Sequence, residues 1–114
     1  PSLIILAGFL LKMPAEIINS FKNRIINIHP ALLPSYGGKG MYGSIIHNKV
    51  IENNEKETGI TIHYVSEHYD SGQIIFQKKI SISDFDSAKT IEEKIHNLEY
   101  EYYPKIIESI ILNR

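Results

Sequence analysis

Three side chains in this sequence have the chemistry of a group-transfer centre. Asn27 and His29 stand two apart in "RIINIHPALLPSYGG", and Asp70 lies in the tight "HYDSG" turn. An asparagine amide N–H₂ can donate to a developing oxyanion. An imidazole exchanges a proton near neutral pH. A carboxylate beside that ring orients it and stabilises its charged form. The combination suits acyl transfer to an amine, in which a tetrahedral intermediate forms and a proton leaves the attacking nitrogen. No serine or cysteine in the stretch is an obvious covalent nucleophile, so direct attack by a substrate amine is the simpler design. Read from the residues alone, the bland alternatives stay open. An Asn-X-His triplet also occurs at strand ends whose polar groups are merely satisfied, and an aspartate ahead of Ser-Gly is an ordinary turn residue.

Positioning these groups requires strands that end in one place. Leu3 to Leu6 is a short apolar run of the kind found in buried parallel strands, and Ile25 to Ile28 is a second. Positions two apart in an extended chain share a face, so Asn27 and His29 point the same way at the carboxyl end of that second strand, where open α/β sheets bind ligands. Pro14 starts a short helix reaching about Phe21. Gly43 to Asn53 reads as a helix closed by the polar turn "NNEKETG". "GITIHYV" alternates and is rich in β-branched residues, giving a strand over Ile60 to Val65. "QIIFQKKISI" follows after so short a connection that it pairs antiparallel, with Lys78 and Lys79 on a solvated edge. Ser87 to Leu112 is a long helix, with Ile91, Ile95, Leu98, Tyr102, Ile106 and Ile110 at helical spacing. Pro104 should kink or divide it near Tyr103. Tyr100, Tyr102 and Tyr103 read as core and packing residues. The fold class is α/β, a mixed sheet with flanking helices.

Composition narrows the setting. A chain of 114 residues is one domain or part of one, and its 43% hydrophobic and 22% charged content is that of an ordinary globular protein. A net charge of −1 gives no reason to expect nucleic acid or a membrane as partner. The absence of cysteine excludes disulfides and zinc–thiolate sites, and it fits a reducing, cytoplasmic setting. The chain opens on Pro1-Ser2 and passes at once into a buried-strand pattern, as if it began inside a larger protein.

"LAGFLLKM", "NIHPALLPSYGG", "GITIHYVSEHYDSGQIIFQ" and "EYEYYP" follow one another in an order that resembles the formyltransferase family using 10-formyltetrahydrofolate. The likeness runs from Leu3 to about Pro104. Pro30 and "HYV" resemble the purine-synthesis branch. Relatives that charge initiator methionyl-tRNA usually carry glycine or a similar residue after the histidine, and formyltetrahydrofolate deformylases typically a second histidine. The resemblance implies a Rossmann-like formyltransferase fold, reduced folate as formyl donor, glycinamide ribonucleotide as acceptor, and no metal. It makes Asn27 the oxyanion donor, His29 the catalytic histidine and Asp70 its partner carboxylate. Leu10, Leu11 and Met13 would line the folate pocket. Val65, Ser66, Glu67 and Gly72 would belong to the loop around the pterin. Glu99 would contact the ribonucleotide.

The sequence departs from the family in two places. "GGKGMYGSIIHNK" is longer than the corresponding family loop, so Met41, Tyr42 and His47 inherit no role. No strand–glycine-rich loop–helix unit opens the chain, although the family cradles its substrate phosphate there. The 114 residues therefore resemble a carboxyl-terminal half. Such a half is expected to be inactive alone and to expose apolar strand edges at Leu3 to Leu6 and Ile25 to Ile28. A non-catalytic folate-binding module is the alternative from outside enzymology. Of the other histidines, His63 could face Asp70 or the folate, or be a satisfied buried ring. His47, His68 and His96 read as solvated. His29, His63 and Asp70 could imitate a metal set, but they come from three separate segments.

Overall fold

The computed structural model describes residues 3–7, 16, 24–65 and 73–113. Four strands, β1 (Ile4–Ala7), β2 (Ile25–His29), β3 (Glu57–Tyr64) and β4 (Ile74–Ser81), form one sheet in the order β1-β2-β3-β4. β1 and β2 are parallel, and the two later pairs are antiparallel. The sheet is thus mixed, with the short β3–β4 connection forcing the antiparallel pairing expected of it. The expected helix over 14–21 and the "HYDSG" turn lie outside the described residues.

Alternation divides the sheet into two chemically different faces. Ile26, Ile28, Ile60 and Ile62 share one parity and join the core with Ile46 and Val50 of α1 (Gly43–Glu52) and Ile91, Ile95 and Leu98 of α2 (Ala88–Leu112). Asn27, His29, Thr61 and His63 have the other parity and are also buried. β2 lies between β1 and β3, so Ile25 to Ile28 is buried rather than the exposed edge expected; an edge falls on β1, where Ile5 is exposed. β3 begins at Glu57, earlier than the turn residues of "NNEKETG" implied, because Glu57 and Thr58 pair with Ser81 and Ile80.

α2 starts at a reciprocal cap. The Ser87 hydroxyl accepts from the Thr90 N–H at 3.2 Å, and the Thr90 hydroxyl accepts from the Ser87 N–H at 2.8 Å. Asp86, just before it, accepts from Lys94 at 2.9 Å, which with the Ser83 and Thr90 hydrogen bonds holds its carboxyl well below the usual carboxylate range. The helix runs through Pro104 undivided, so of the expected kink or division the division does not occur. Proline removes the hydrogen bond to the Tyr100 carbonyl, but Tyr100 is 81% exposed and water can satisfy that oxygen. The same exposure removes Tyr100 from the core. Tyr103 is buried as expected, and Tyr102 packs on Phe76 with ring centroids 5.3 Å apart.

Gly59 explains how closely β3 and β4 approach. A Cβ there would stand 2.0 Å from the Lys78 carbonyl oxygen and 2.8 Å from Leu32 Cδ2. Backbone cannot move aside as a side-chain tip can, so Gly59→Ala should destabilise the fold by about 3 kcal/mol, the upper end for overpacking. Urea unfolding measures this; a variant within 0.5 kcal/mol of the parent, a surface-like effect, would mean the strands are not so close.

Candidate functional site

His29 is the last residue of β2, and the chain leaves it through Pro30 into a segment with no regular structure over 30–42. Buried backbone groups in such a segment need partners. β3 and β4 supply them across the sheet face. The Thr61 hydroxyl donates to the Ala31 carbonyl at 2.7 Å and accepts from the Leu33 N–H at 3.0 Å. Gln77 Nε2 donates to Thr61 Oγ1 and to the Leu33 carbonyl, each at 2.9 Å. The Leu33–Pro34 peptide bond within this segment is cis. Tyr36 then turns back, and His29 Nε2 donates to its main-chain carbonyl at 2.8 Å. The Tyr36 hydroxyl accepts from Asn53 Nδ2 at 2.8 Å and donates to Glu55 Oε2 at 3.1 Å.

Asn27 pairs across the ladder with His63, and His29 with Thr61. The register of β3 against β4 shifts between Ile62 and His63, beside Asn27. Such a bulge re-aims the side chains around it. His63 Nδ1 donates to the Tyr64 carbonyl at 3.0 Å, and the ring is buried.

At the carboxyl end of β2 a cavity of about 610 Å³ opens. β2 contributes Ile28, His29 and Pro30; the segment before α1 contributes Met41 to Gly43; α1 contributes His47; α2 contributes Glu92, Ile95, His96, Glu99 and Tyr103. Mostly apolar walls with a few convergent polar groups are the usual form of a small-molecule site. Burial raises the Glu99 carboxyl above its ordinary value, opposed by His96. Burial lowers His47, with Glu92 opposing and His96 reinforcing that shift. His47 is 1% exposed, which corrects its reading as solvated. Ile46 and Val50 mark the core face of α1, and His47 stands three residues before Val50, so the helical spacing already carried this signal. His96 is exposed, as expected, although it borders the cavity.

The structure therefore brings His29 and Glu99 to one cavity, while Asn27, on the same face of β2 as His29, is not in its lining. Val65 lies at the other end of β2, where its N–H donates to the Ile25 carbonyl at 2.8 Å. Asp70, Leu10, Leu11, Met13, Ser66, Glu67 and Gly72 lie outside the described residues, as does His68. Among the described residues no cluster of three or more His, Asp or Glu side chains could hold a metal ion, and no helix is long and apolar enough to cross a membrane. Sequence reasoning missed Tyr36, Thr61 and Gln77. Tyrosine, threonine and glutamine are ordinary in such segments, and only the folded register brings these three to the loop after His29.

A mixed sheet with a histidine-tipped strand beside such a cavity is an α/β architecture with a small-molecule site. Residues 1–107 match the Formyl transferase family, and the chain belongs to it. It is 40% identical over 97% of its length to the chloroplastic phosphoribosylglycinamide formyltransferase of Vigna unguiculata and covers 36% of that protein. To the phosphoribosylglycinamide formyltransferase of Bacillus subtilis it is 40% identical over 96% of its length, covering 53% of the relative. The solved phosphoribosylglycinamide formyltransferase of Bacillus halodurans superposes with a TM-score of 0.86 at 35% identity, over 96% of this chain and 54% of that one. The chain thus spans about half the length of these bacterial relatives.

Two measurements probe the site's construction. Thr61→Val leaves Ala31 and Leu33 backbone groups without their partner and should cost about 2–3 kcal/mol, read by chemical denaturation; a neutral substitution would show that the loop is held otherwise. Glu99 tests the electrostatics. Its raised folded value means the fold binds that proton more tightly than the unfolded chain does. Stability then falls as pH climbs from the ordinary 4.5 through the folded value, and the full penalty is present above it. Glu99→Gln should raise the melting temperature near pH 7 and leave it unchanged below about pH 4. An equal shift at both pH values would assign the effect to packing.

Proposed function

We propose that this chain is the catalytic, carboxyl-terminal part of a phosphoribosylglycinamide formyltransferase of purine biosynthesis. It would move a formyl group from 10-formyltetrahydrofolate to the primary amine of glycinamide ribonucleotide. One observation carries the reading. His29 and Glu99, far apart in the chain and assigned by resemblance to chemistry and to substrate contact, line a single cavity of about 610 Å³. Names of relatives over nearly the whole chain support the same reaction.

In this reading the amine nitrogen attacks the formyl carbon and a C–N bond forms. The carbonyl electron pair moves onto oxygen, where the Asn27 amide donates to it. His29 takes the proton that the nitrogen loses. The pair then returns, the bond from the formyl carbon to the folate nitrogen breaks, and that nitrogen recovers a proton. Asp70 orients the imidazole, and Glu99 holds the acceptor's polar groups. Leu10, Leu11 and Met13, with the segment from Val65 to Gly72 (Ser66 and Glu67 among it), form the folate side. No metal enters the reaction, and the cytoplasm is the setting that fits a chain without cysteine.

The test uses the whole protein that carries this chain, given both substrates. His29→Ala should lower kcat by ~10²–10⁴-fold, the usual contribution of general acid–base help, while folate binding changes little. Near-parental turnover in that variant would remove His29 from the chemistry. Folate-dependent formate release without the amine acceptor would instead point to a deformylase.

A further inference from the structure

We propose that Tyr36 is a positioning residue for His29, its main-chain carbonyl selecting the imidazole tautomer and its hydroxyl, latched to the end of α1, holding that carbonyl in place. The tautomer follows from the chemistry of the acceptor. A carbonyl oxygen can only accept, and it lies 2.8 Å from His29 Nε2. Nε2 therefore carries a hydrogen while this bond is made.

Three features show that the side chain of Tyr36 enforces this arrangement. Tyr36 has φ of +57°, in the left-handed region that disfavours any residue with a Cβ. Glycine adopts that region without cost, and Gly37 and Gly38 follow immediately, yet the left-handed position is occupied by tyrosine. Its hydroxyl makes two hydrogen bonds, from Asn53 Nδ2 and to Glu55 Oε2, at 2.8 and 3.1 Å. Both partners belong to the turn that closes α1, where Asn54 is itself left-handed with φ of +53°. The ring also packs against the hydrophobic core. The end of α1 thus fixes the phenol, the phenol fixes the backbone, and the backbone carbonyl fixes the ring of His29. The effect on kcat rests on the formyl-transfer reading; the tautomer assignment does not.

The experiment is long-range ¹H–¹⁵N correlation spectroscopy of the whole protein labelled at histidine nitrogens, recorded where His29 is neutral. The parent should show His29 with hydrogen on Nε2. Tyr36→Phe keeps the carbonyl and loses both hydroxyl bonds. It should raise the Nδ1–H form to about a tenth of the population or more and lower kcat about 5–10-fold, with KM for both substrates within about twofold, as expected for losing hydrogen bonds of ordinary strength. Asn53→Ala removes one bond at an exposed position and should shift the tautomer in the same direction by less, so it carries the test if Tyr36→Phe does not fold. A parent ring protonated on Nδ1, or folded variants that keep the Nε2–H form unmixed, overturns the proposal even if formyl transfer is present. The shifted tautomer in a protein that transfers no formyl group supports the latch and rejects the function assigned above.

Discussion

The demand of buried backbone for hydrogen-bond partners governs the rest of this structure. After His29 the chain abandons the sheet, but Ala31 and Leu33 stay buried against it, so their backbone groups need partners other than a ladder or bulk water. Thr61 answers with the whole capacity of one hydroxyl, donating to Ala31 and accepting from Leu33 and Gln77. Gln77 closes the arrangement on the Leu33 carbonyl. Because Thr61 stands directly across the ladder from His29, the strand that supports the histidine also fixes the chain leaving it. The return of Tyr36 to the imidazole is possible only from that fixed departure. A polar pair in the middle of two strands thus determines the direction of a ring at the end of a third.

Desolvation gives the cavity its electrostatic character. It raises Glu99 and lowers His47, opposite directions with one cause, because burial penalises the charged form of each. Glu92 and His96, on the solvated side of α2, partly offset or reinforce those shifts. A ligand entering such a space meets groups whose hydrogen bonds gain strength from the low local dielectric. The burial of His47 comes from α1 packing against α2, so the helix pair builds the wall and shifts its titratable groups together.

Elements with strong periodicity were legible in the sequence; features that depend on register were not. The continuous isoleucine runs of β1 and β2, the alternation of β3 and the spacing of Ile91, Ile95 and Leu98 each pointed to the element found. Boundaries moved where pairing overrode local composition, as at Glu57, whose polar surroundings read as turn while its backbone pairs with Ser81. Pro104 misled because a proline is a local signal, and the packing that carries the helix through it cannot be read from one sequence. His29 was conspicuous by residue type and Glu99 by resemblance, and their meeting at one cavity follows from the fold. Thr61 and Gln77 carried no signal, since their partners lie on a different segment and only the folded strands bring them together.

Tyr103 shows how the long helix is set in depth. Its hydroxyl donates to the Leu6 carbonyl in β1 and lies 3.5 Å from the Ile26 carbonyl in β2, so one phenol reaches both parallel strands. Burial raises its ionisation well above the ordinary phenol value, which keeps it a neutral donor across the working range of the protein. Glu99 stands one turn earlier on the same helical face, an i to i+4 relation that stacks the two side chains along the axis. Fixing Tyr103 against the sheet therefore fixes how far Glu99 projects over the carboxyl end of β2. Pro104, next in sequence, stiffens the backbone at the anchor. The distance between the His29 ring and the Glu99 carboxyl is thereby set through two supports, β2 beneath His29 and the Tyr103 anchor beneath Glu99. In the proposed transfer, a mobile loop in either place would let that distance drift by more than the chemistry tolerates.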